Sequence, residues 1–136
     1  MNELNPIGGC LCNEVSYRVR GALSPALACH CGQCRSWGGH HLVAASADPA
    51  SVEIEGEVRW YASSSDVRRG FCPECGSSLF WQRGGGPLHI MVGTLDAPSG
   101  TQLAGHVFVK DKGDYYEIDD NLPKSDDDEI DLGDRA

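Results

Sequence analysis

Hydrophobic side chains recur along this chain at every second position, in short runs. Val15, Tyr17 and Val19 alternate with Ser16, Arg18 and Arg20, the period of a strand with one buried face. Leu42-Val43-Ala44-Ala45 reads as a buried strand, and Val52/Ile54 and Val58/Trp60 as short strands joined through Gly56. A strand over Val67 to Phe71 and another over Leu79-Phe80-Trp81 follow, and Ile90/Val92, Val107/Val109 and Tyr116/Ile118 mark three more. Gly21, Pro25, Gly38-Gly39 and the loop Gly84-Gly85-Gly86-Pro87 punctuate these runs. No stretch sustains a helical period, and the pattern leaves room for one or two short helical turns, one of them near Gln33–Trp37. Seventeen glycines and many short strands between turns predict an all-β domain.

Length and charge narrow this further. With 136 residues, 40% of them hydrophobic, the chain suits one globular domain with a modest core. The net charge of −9 is concentrated at one end. Asp111 to Ala136 holds eleven acidic against three basic residues, a balance of −8, which leaves −1 for residues 1–110. Neither part carries the basic field that a phosphate backbone requires, so nucleic acid is not expected as a partner. A bilayer-spanning helix needs about 20 apolar residues, and no such run exists, so no membrane association is expected. Met1-Asn2-Glu3-Leu4-Asn5-Pro6 lacks the basic and apolar regions of a signal peptide, which predicts a cytoplasmic protein. The domain is expected to span 1–123. Residues 124–136, rich in Asp and Glu and poor in apolar side chains, are expected to be an acidic, disordered tail.

The chemistry lies in the seven cysteines, which fall into three groups: Cys10 and Cys12, then Cys29, Cys31 and Cys34, then Cys72 and Cys75. In a reducing compartment, close and regular spacing of this kind points to metal rather than disulfides. A Cys-x-Cys on an extended chain sets both thiols on one face. Phe71-Cys72-Pro73-Glu74-Cys75-Gly76 looks like a zinc-ribbon knuckle, which supplies two ligands and needs two more. Cys10 and Cys12 are the obvious donors, closing a four-thiolate site across more than sixty residues. Cys29, Cys31 and Cys34 then remain as three ligands with an open fourth position, the pattern of a catalytic zinc. Spacing alone leaves other ways of sharing the cysteines open.

Plainer readings stand beside this one. Both clusters can be purely structural zinc sites, or Cys72 and Cys75 a redox dithiol. His30, between two ligands on an extended chain, is expected to face away from the metal, with a ligand role as the alternative. His40 and His41 either line the open position or are exposed turn residues. Arg35 either holds a substrate carboxylate bidentately or pairs with a surface acid. Trp37, Trp60 and Trp81 fit the core better than a substrate platform.

The motifs Gly8-Gly9-Cys10-Leu11-Cys12, Cys29-His30-Cys31-x-x-Cys34-Arg35 and Gly70-Phe71-Cys72-Pro73-Glu74-Cys75-Gly76-Ser77-x-Leu79 together resemble the glutathione-dependent formaldehyde-activating enzyme family, which includes centromere protein V. Val92-Gly93-Thr94-Leu95-Asp96 and His106-x-Phe108-Val109-x-Asp111-Lys112 fit as well, so the resemblance runs from about Pro6 to Pro123. It implies a small domain of twisted antiparallel β-ribbons with two zinc ions. It places a structural zinc on Cys10, Cys12, Cys72 and Cys75, and an exchangeable, catalytic zinc on Cys29, Cys31 and Cys34. The implied activity is that of a carbon–sulfur lyase joining glutathione, or another small thiol, to formaldehyde or another small aldehyde, with Arg35 and His41 as candidates for holding the thiol substrate. Gly38 stands where many relatives carry Ser or Thr, and His40-His41 replaces a segment that often contains Gly and Pro. The competing reading is a non-enzymatic zinc-ribbon module whose acidic tail recruits a basic partner.

Overall fold

The computed structural model describes residues 5–133. Among these residues ten strands follow one another: β1 (Ile7–Gly9), β2 (Ser16–Val19), β3 (Ala26–Cys29), β4 (Leu42–Ala47), β5 (Val52–Glu55), β6 (Arg59–Ala62), β7 (Val67–Phe71), β8 (Ser78–Arg83), β9 (Leu88–Met91) and β10 (Leu103–Val107). The one α-helix among the described residues, α1 (Gly32–Gly38), lies where the helical turn was expected, and three 3-10 turns complete the set. The protein is all-β, and no described helix is long and apolar enough to cross a membrane. The chain divides into two compact units, Met1–Ser24 with Ala45–Thr101 and Pro25–Ala44 with Gln102–Ala136.

In the first unit β2 is the centre of a three-stranded antiparallel sheet, with β1 on one side and β5 on the other. Its alternation is realised as predicted: Tyr17 and Val19 are buried, Ser16 and Arg18 exposed. β1, which the hydrophobic pattern does not announce, is built on two glycines for a steric reason. A Cβ on Gly8 would lie 2.3 Å from the Thr94 carbonyl oxygen and 2.5 Å from the Tyr17 hydroxyl. The meander β6–β7–β8–β9 is antiparallel throughout. Its register slips between Gly70 and Phe71, so that Gly70 faces Phe80 and Phe71 faces Ser78. That extra residue on β8 lets the adjacent Leu79 and Phe80 both turn inward, which a strict two-residue period forbids. Trp60 lies against Phe80 with Arg68 over its ring, half-buried rather than in the core.

The second unit is smaller, and two histidines share its core with small apolar residues such as Ala26, Ala28 and Ala104. β3 pairs antiparallel with the opening residues of β4 and parallel with β10. The parallel ladder departs from the all-antiparallel expectation. β3 and β10 are separated by more than seventy residues of chain, so no hairpin dictates their direction. Among the fully buried side chains of this unit the bulkiest is an imidazole, that of His30 on the loop leaving β3, and His106 on β10 is buried beside it.

Of the three short strands expected from isolated apolar pairs, those at Ile90 and Val107 form as β9 and β10 but stop short of Val92 and Val109, and the one at Tyr116 and Ile118 does not form. Val92 begins a 3-10 turn after β9, and Val109 begins another after Phe108, which adopts a left-handed conformation. Tyr116 and Ile118 lie in irregular chain, where the Tyr116 hydroxyl meets His30 instead of a partner strand. The segment from Lys124 runs beside β10 over its described residues. The Ser125 N–H donates to the His106 carbonyl, and the Val109 and Phe108 N–H groups donate to the carbonyls of Ser125 and Asp127. A Cβ on Gly105 would strike the ends of Ile130 and Leu132, so glycine on β10 lets these two apolar side chains approach the strand. The apolar residues that composition undercounted are the ones that hold residues 124–133; residues 134–136 lie outside the described part.

Candidate metal centres

The first unit brings Cys10, Cys12, Cys72 and Cys75 together, with all four sulfurs within 4.8 Å of one another. Two tight turns do this. The Cys10 carbonyl accepts from the Asn13 N–H, with Asn13 left-handed, and the Val15 N–H donates to the Cys10 sulfur at 3.2 Å. In the other turn the Gly76 N–H closes onto the Cys72 carbonyl at 2.8 Å, with Gly76 at φ +81°, where any Cβ is strained. The N–H groups of Glu74 and Cys75 point at the Cys72 sulfur. Ser77 joins the turns: its hydroxyl accepts from the Leu11 N–H and contacts the Cys75 sulfur at 3.1 Å. Bonds from the Ser77 hydroxyl and backbone N–H hold the Cys75 thiol down to about 5.

Sulfur spacing tests the fit to a cation. Cys10 and Cys12 sulfurs are 3.6 Å apart, and Cys12 and Cys72 sulfurs 3.7 Å. A disulfide needs about 2.05 Å. Four thiolates around a zinc at about 2.3 Å form a tetrahedron with edges of about 3.8 Å. The cluster has the dimensions of a metal cage and not of a disulfide.

The second unit gathers Cys29, Cys31 and Cys34, again with sulfurs within 4.8 Å. Here a single stretch suffices. Cys29 ends β3, Cys31 is the N-cap of α1, and Cys34 comes back to it one helical turn later as the buried residue of the helix. The Cys31 sulfur accepts from the Cys34 N–H at 3.3 Å, doing the work a serine or aspartate oxygen does at an ordinary N-cap. Gly39, left-handed, stops the helix by donating to the Arg35 carbonyl. Bonds from the Cys29 and Cys34 thiols pull Cys31 down to about 2, and the same contacts drive Cys29 far above its ordinary value. Thiolate is thus favoured at Cys31, and the three sulfurs together offer donors to a cation. Among the described residues no histidine or carboxylate joins the three, so any ligand in a fourth position comes from elsewhere.

His30 does not join the cysteines. It faces the other way, as expected on an extended chain, and is fully buried. Its Nδ1 lies 2.5 Å from the Tyr116 hydroxyl and its Nε2 2.9 Å from His106 Nδ1. His106 Nε2 in turn meets an Asp120 carboxylate oxygen at 2.9 Å. Burial, then the nearby His41 and His106, push His30 down to about 4, so it is neutral at physiological pH. His41 lies tilted against His30 with ring centres 4.5 Å apart, and its buried Nδ1 finds no partner among the described residues. His40 is exposed and bonds the Tyr115 hydroxyl at 2.7 Å. Arg35 does not pair with a surface acid through Nε, which donates to the Asp111 carbonyl at 3.3 Å. Sequence reading saw Tyr116 only as a strand residue and did not single out Asp120. No local pattern marks them, because their partners lie 86 and 14 residues away.

Fold and clusters together define a class: a small β protein whose backbone turns present two thiol cages of metal-binding dimensions. The chain belongs to the glutathione-dependent formaldehyde-activating enzyme family, whose model matches residues 5–111. An uncharacterized lyase of Schizosaccharomyces pombe is 30% identical over 114 residues, covering 82% of this chain and 83% of that protein. A crystal structure of a Rhodobacter sphaeroides protein shares the fold, with a TM-score of 0.58 at 23% identity, over 72% of this chain and 99% of the other.

Proposed function

We propose that the protein is a zinc-dependent carbon–sulfur lyase that joins a small thiol of the glutathione type to formaldehyde or another small aldehyde, and reverses that addition. The observation that carries this reading is the triad Cys29, Cys31 and Cys34, which has three thiol donors and no fourth protein ligand among the described residues. Family membership and the lyase name of the fission-yeast relative support it. In this reading Cys10, Cys12, Cys72 and Cys75 hold a structural zinc, and the triad holds the exchangeable one. A zinc ion bound at the triad supplies a Lewis acid that favours thiolate over thiol and polarises a carbonyl oxygen.

In the reaction a sulfur–carbon bond forms, the carbon–oxygen π bond opens, and one proton passes from sulfur to oxygen. The chain's own residues orient the partners. Arg35, fixed by the Asp111 carbonyl, offers its guanidinium to a thiol substrate's carboxylate. His41 holds an unsatisfied nitrogen beside the triad's strand for a substrate polar group. Seven free thiols suit the reducing cytoplasm, where we place the protein.

The test is to load the purified protein with zinc, add glutathione and a panel of small aldehydes, and follow hemithioacetal exchange by NMR. Acceleration for at least one aldehyde, abolished by a chelator, is expected. No acceleration for any aldehyde with both metals bound overturns the reading.

A further inference from the structure

The family match ends at residue 111, yet the buried histidine pair of the second unit finds its outer partners beyond that point, in Tyr116 and Asp120. The resulting hydrogen-bond chain runs Asp120–His106–His30–Tyr116, and its direction follows from simple bookkeeping of donors. Asp120, held below the usual carboxylate range by its bond to His106, is ionised and can only accept. His106 must therefore carry its hydrogen on Nε2. At a pH above the ordinary histidine range, where each ring holds one hydrogen, the bare His106 Nδ1 accepts from His30 Nε2, and the bare His30 Nδ1 accepts from the Tyr116 hydroxyl. Each link is forced by the one before it.

We infer that Asp120 is a positioning residue: it sets the direction of this chain, commits the Tyr116 O–H to His30, and leaves the Tyr116 oxygen only as an acceptor beside the three-cysteine triad. The segment's placement there is geometric. Arg35, one residue after Cys34, bonds the Asp111 carbonyl, and Lys112 reaches the Tyr116 carbonyl at 2.6 Å. An acceptor at this point suits the hydroxyl of a thiol–aldehyde adduct, which has a hydrogen to donate, over the free aldehyde, which has none. This second half rests on the function proposed above; the direction of the chain does not.

The carboxylate's other contacts make the inference testable. Asp120 Oδ1 accepts from the Leu122 N–H at 3.1 Å and lies 3.6 Å from Lys124 Nζ, whereas Oδ2 faces His106. In Asp120→Asn the amide oxygen is therefore kept on the Leu122 side and the NH2 is turned to His106, which reverses every link.

Long-range proton–nitrogen NMR on the zinc-loaded full chain, labelled at histidine and held near about pH 8, above the ordinary histidine range, reads both rings. His30 and His106 are expected as Nε2–H tautomers in the wild type and as Nδ1–H tautomers in Asp120→Asn. Either ring carrying its hydrogen on Nδ1 in the wild type, or unchanged tautomers in a folded Asp120→Asn, overturns the inference. Tyr116→Phe, which leaves the carboxylate in place, is expected to keep both wild-type tautomers and guards against an Asp120→Asn that does not fold. In the adduct-breaking direction, Asp120→Asn and Tyr116→Phe are each expected to raise KM about three- to tenfold, the worth of one neutral hydrogen bond, with kcat little changed. The double variant is expected to be no worse than either single one, whereas additive losses overturn the link through Tyr116. A wild type that turns over no thiol–aldehyde adduct removes the acceptor role together with the proposed function, and the tautomers still decide the positioning role.

Discussion

The two cysteine clusters are built by opposite means. The four-cysteine cluster draws on two turns some sixty residues apart in sequence, and its sulfurs close only once β1, β2, β7 and β8 are in place. The triad comes from six consecutive residues, a strand end and one helical turn, and its N-cap is itself one of the thiols. A metal on the first closes a long loop and so belongs to folding; a metal on the second bridges groups that the backbone already holds together. The same element, in the same chain, is thereby expected to be structural in one place and replaceable in the other.

The largest effect that bears on this contrast is expected at Cys72, which is fully buried in the four-cysteine cluster. Cys72→Ser should remove metal-binding energy on the order of 10 kcal/mol that is coupled to folding, against a usual margin of roughly 5–15 kcal/mol. Far-UV circular dichroism and a thermal melt are expected to show an unfolded or nearly unfolded protein. A folded Cys72→Ser protein with a normal melt would mean that this cluster does not hold the fold.

Cys31→Ser is expected to do the reverse. Serine caps a helix at least as well as cysteine, so α1 should persist, the protein should bind one zinc fewer, and thiol–aldehyde turnover should vanish. Metal analysis beside circular dichroism checks this. Loss of both metals together with the fold would erase the distinction between the clusters. A chelator titration offers the same comparison without a mutation, one metal leaving early with the spectrum unchanged and the other only on unfolding.

The first unit should also show a dependence on alkali that sharpens the contrast. Burial, opposed by its 2.6 Å bond to Thr94 and helped by the charge of Asp96, pushes the Tyr17 hydroxyl up to about 12. A phenol whose folded pKa exceeds the unfolded value near 10 adds stability that is complete below pH 10. That stability is lost as pH rises through 12, because only the unfolded chain ionises freely. About 2–3 kcal/mol at most is at stake. Denaturant titrations from about pH 9 to about pH 12 should show this decline in the wild type and a flatter one in Tyr17→Phe; equal slopes would show that Tyr17 does not carry it.

The smallest effect is expected in the second unit. Deleting residues 124–136 removes the bonds to His106, Phe108 and Val109 and the cover that Ile130 and Leu132 give Gly105. Two half-buried aliphatic side chains are worth about 1–2 kcal/mol, a melting shift of about 3–8 °C for a chain of this size. An unchanged melt would return the segment to the free acidic tail that its composition describes.

Much of this protein was legible in the order of its residues, and the rest was not, for a physical reason. The alternation at Tyr17 and Val19, the knuckle ending at Gly76, the helical turn after Cys31 and the grouping of Cys29, Cys31 and Cys34 are all local. Each is dictated by side-chain period, by a left-handed turn that only glycine accepts freely, or by ligands within one turn of one another. Contacts decided in three dimensions left no such mark. The slip at Gly70 that turns both Leu79 and Phe80 inward, the parallel pairing of β3 with β10, and the docking of Ile130 and Leu132 on Gly105 depend on which distant segment arrives where. So do Tyr116 and Asp120, ordinary in sequence and significant only because burial of His30 and His106 leaves ring nitrogens that must find partners. Sequence determined what could bind a metal; only the tertiary structure decided what stands behind it, because a buried polar atom is satisfied by whatever the fold brings within about 3 Å.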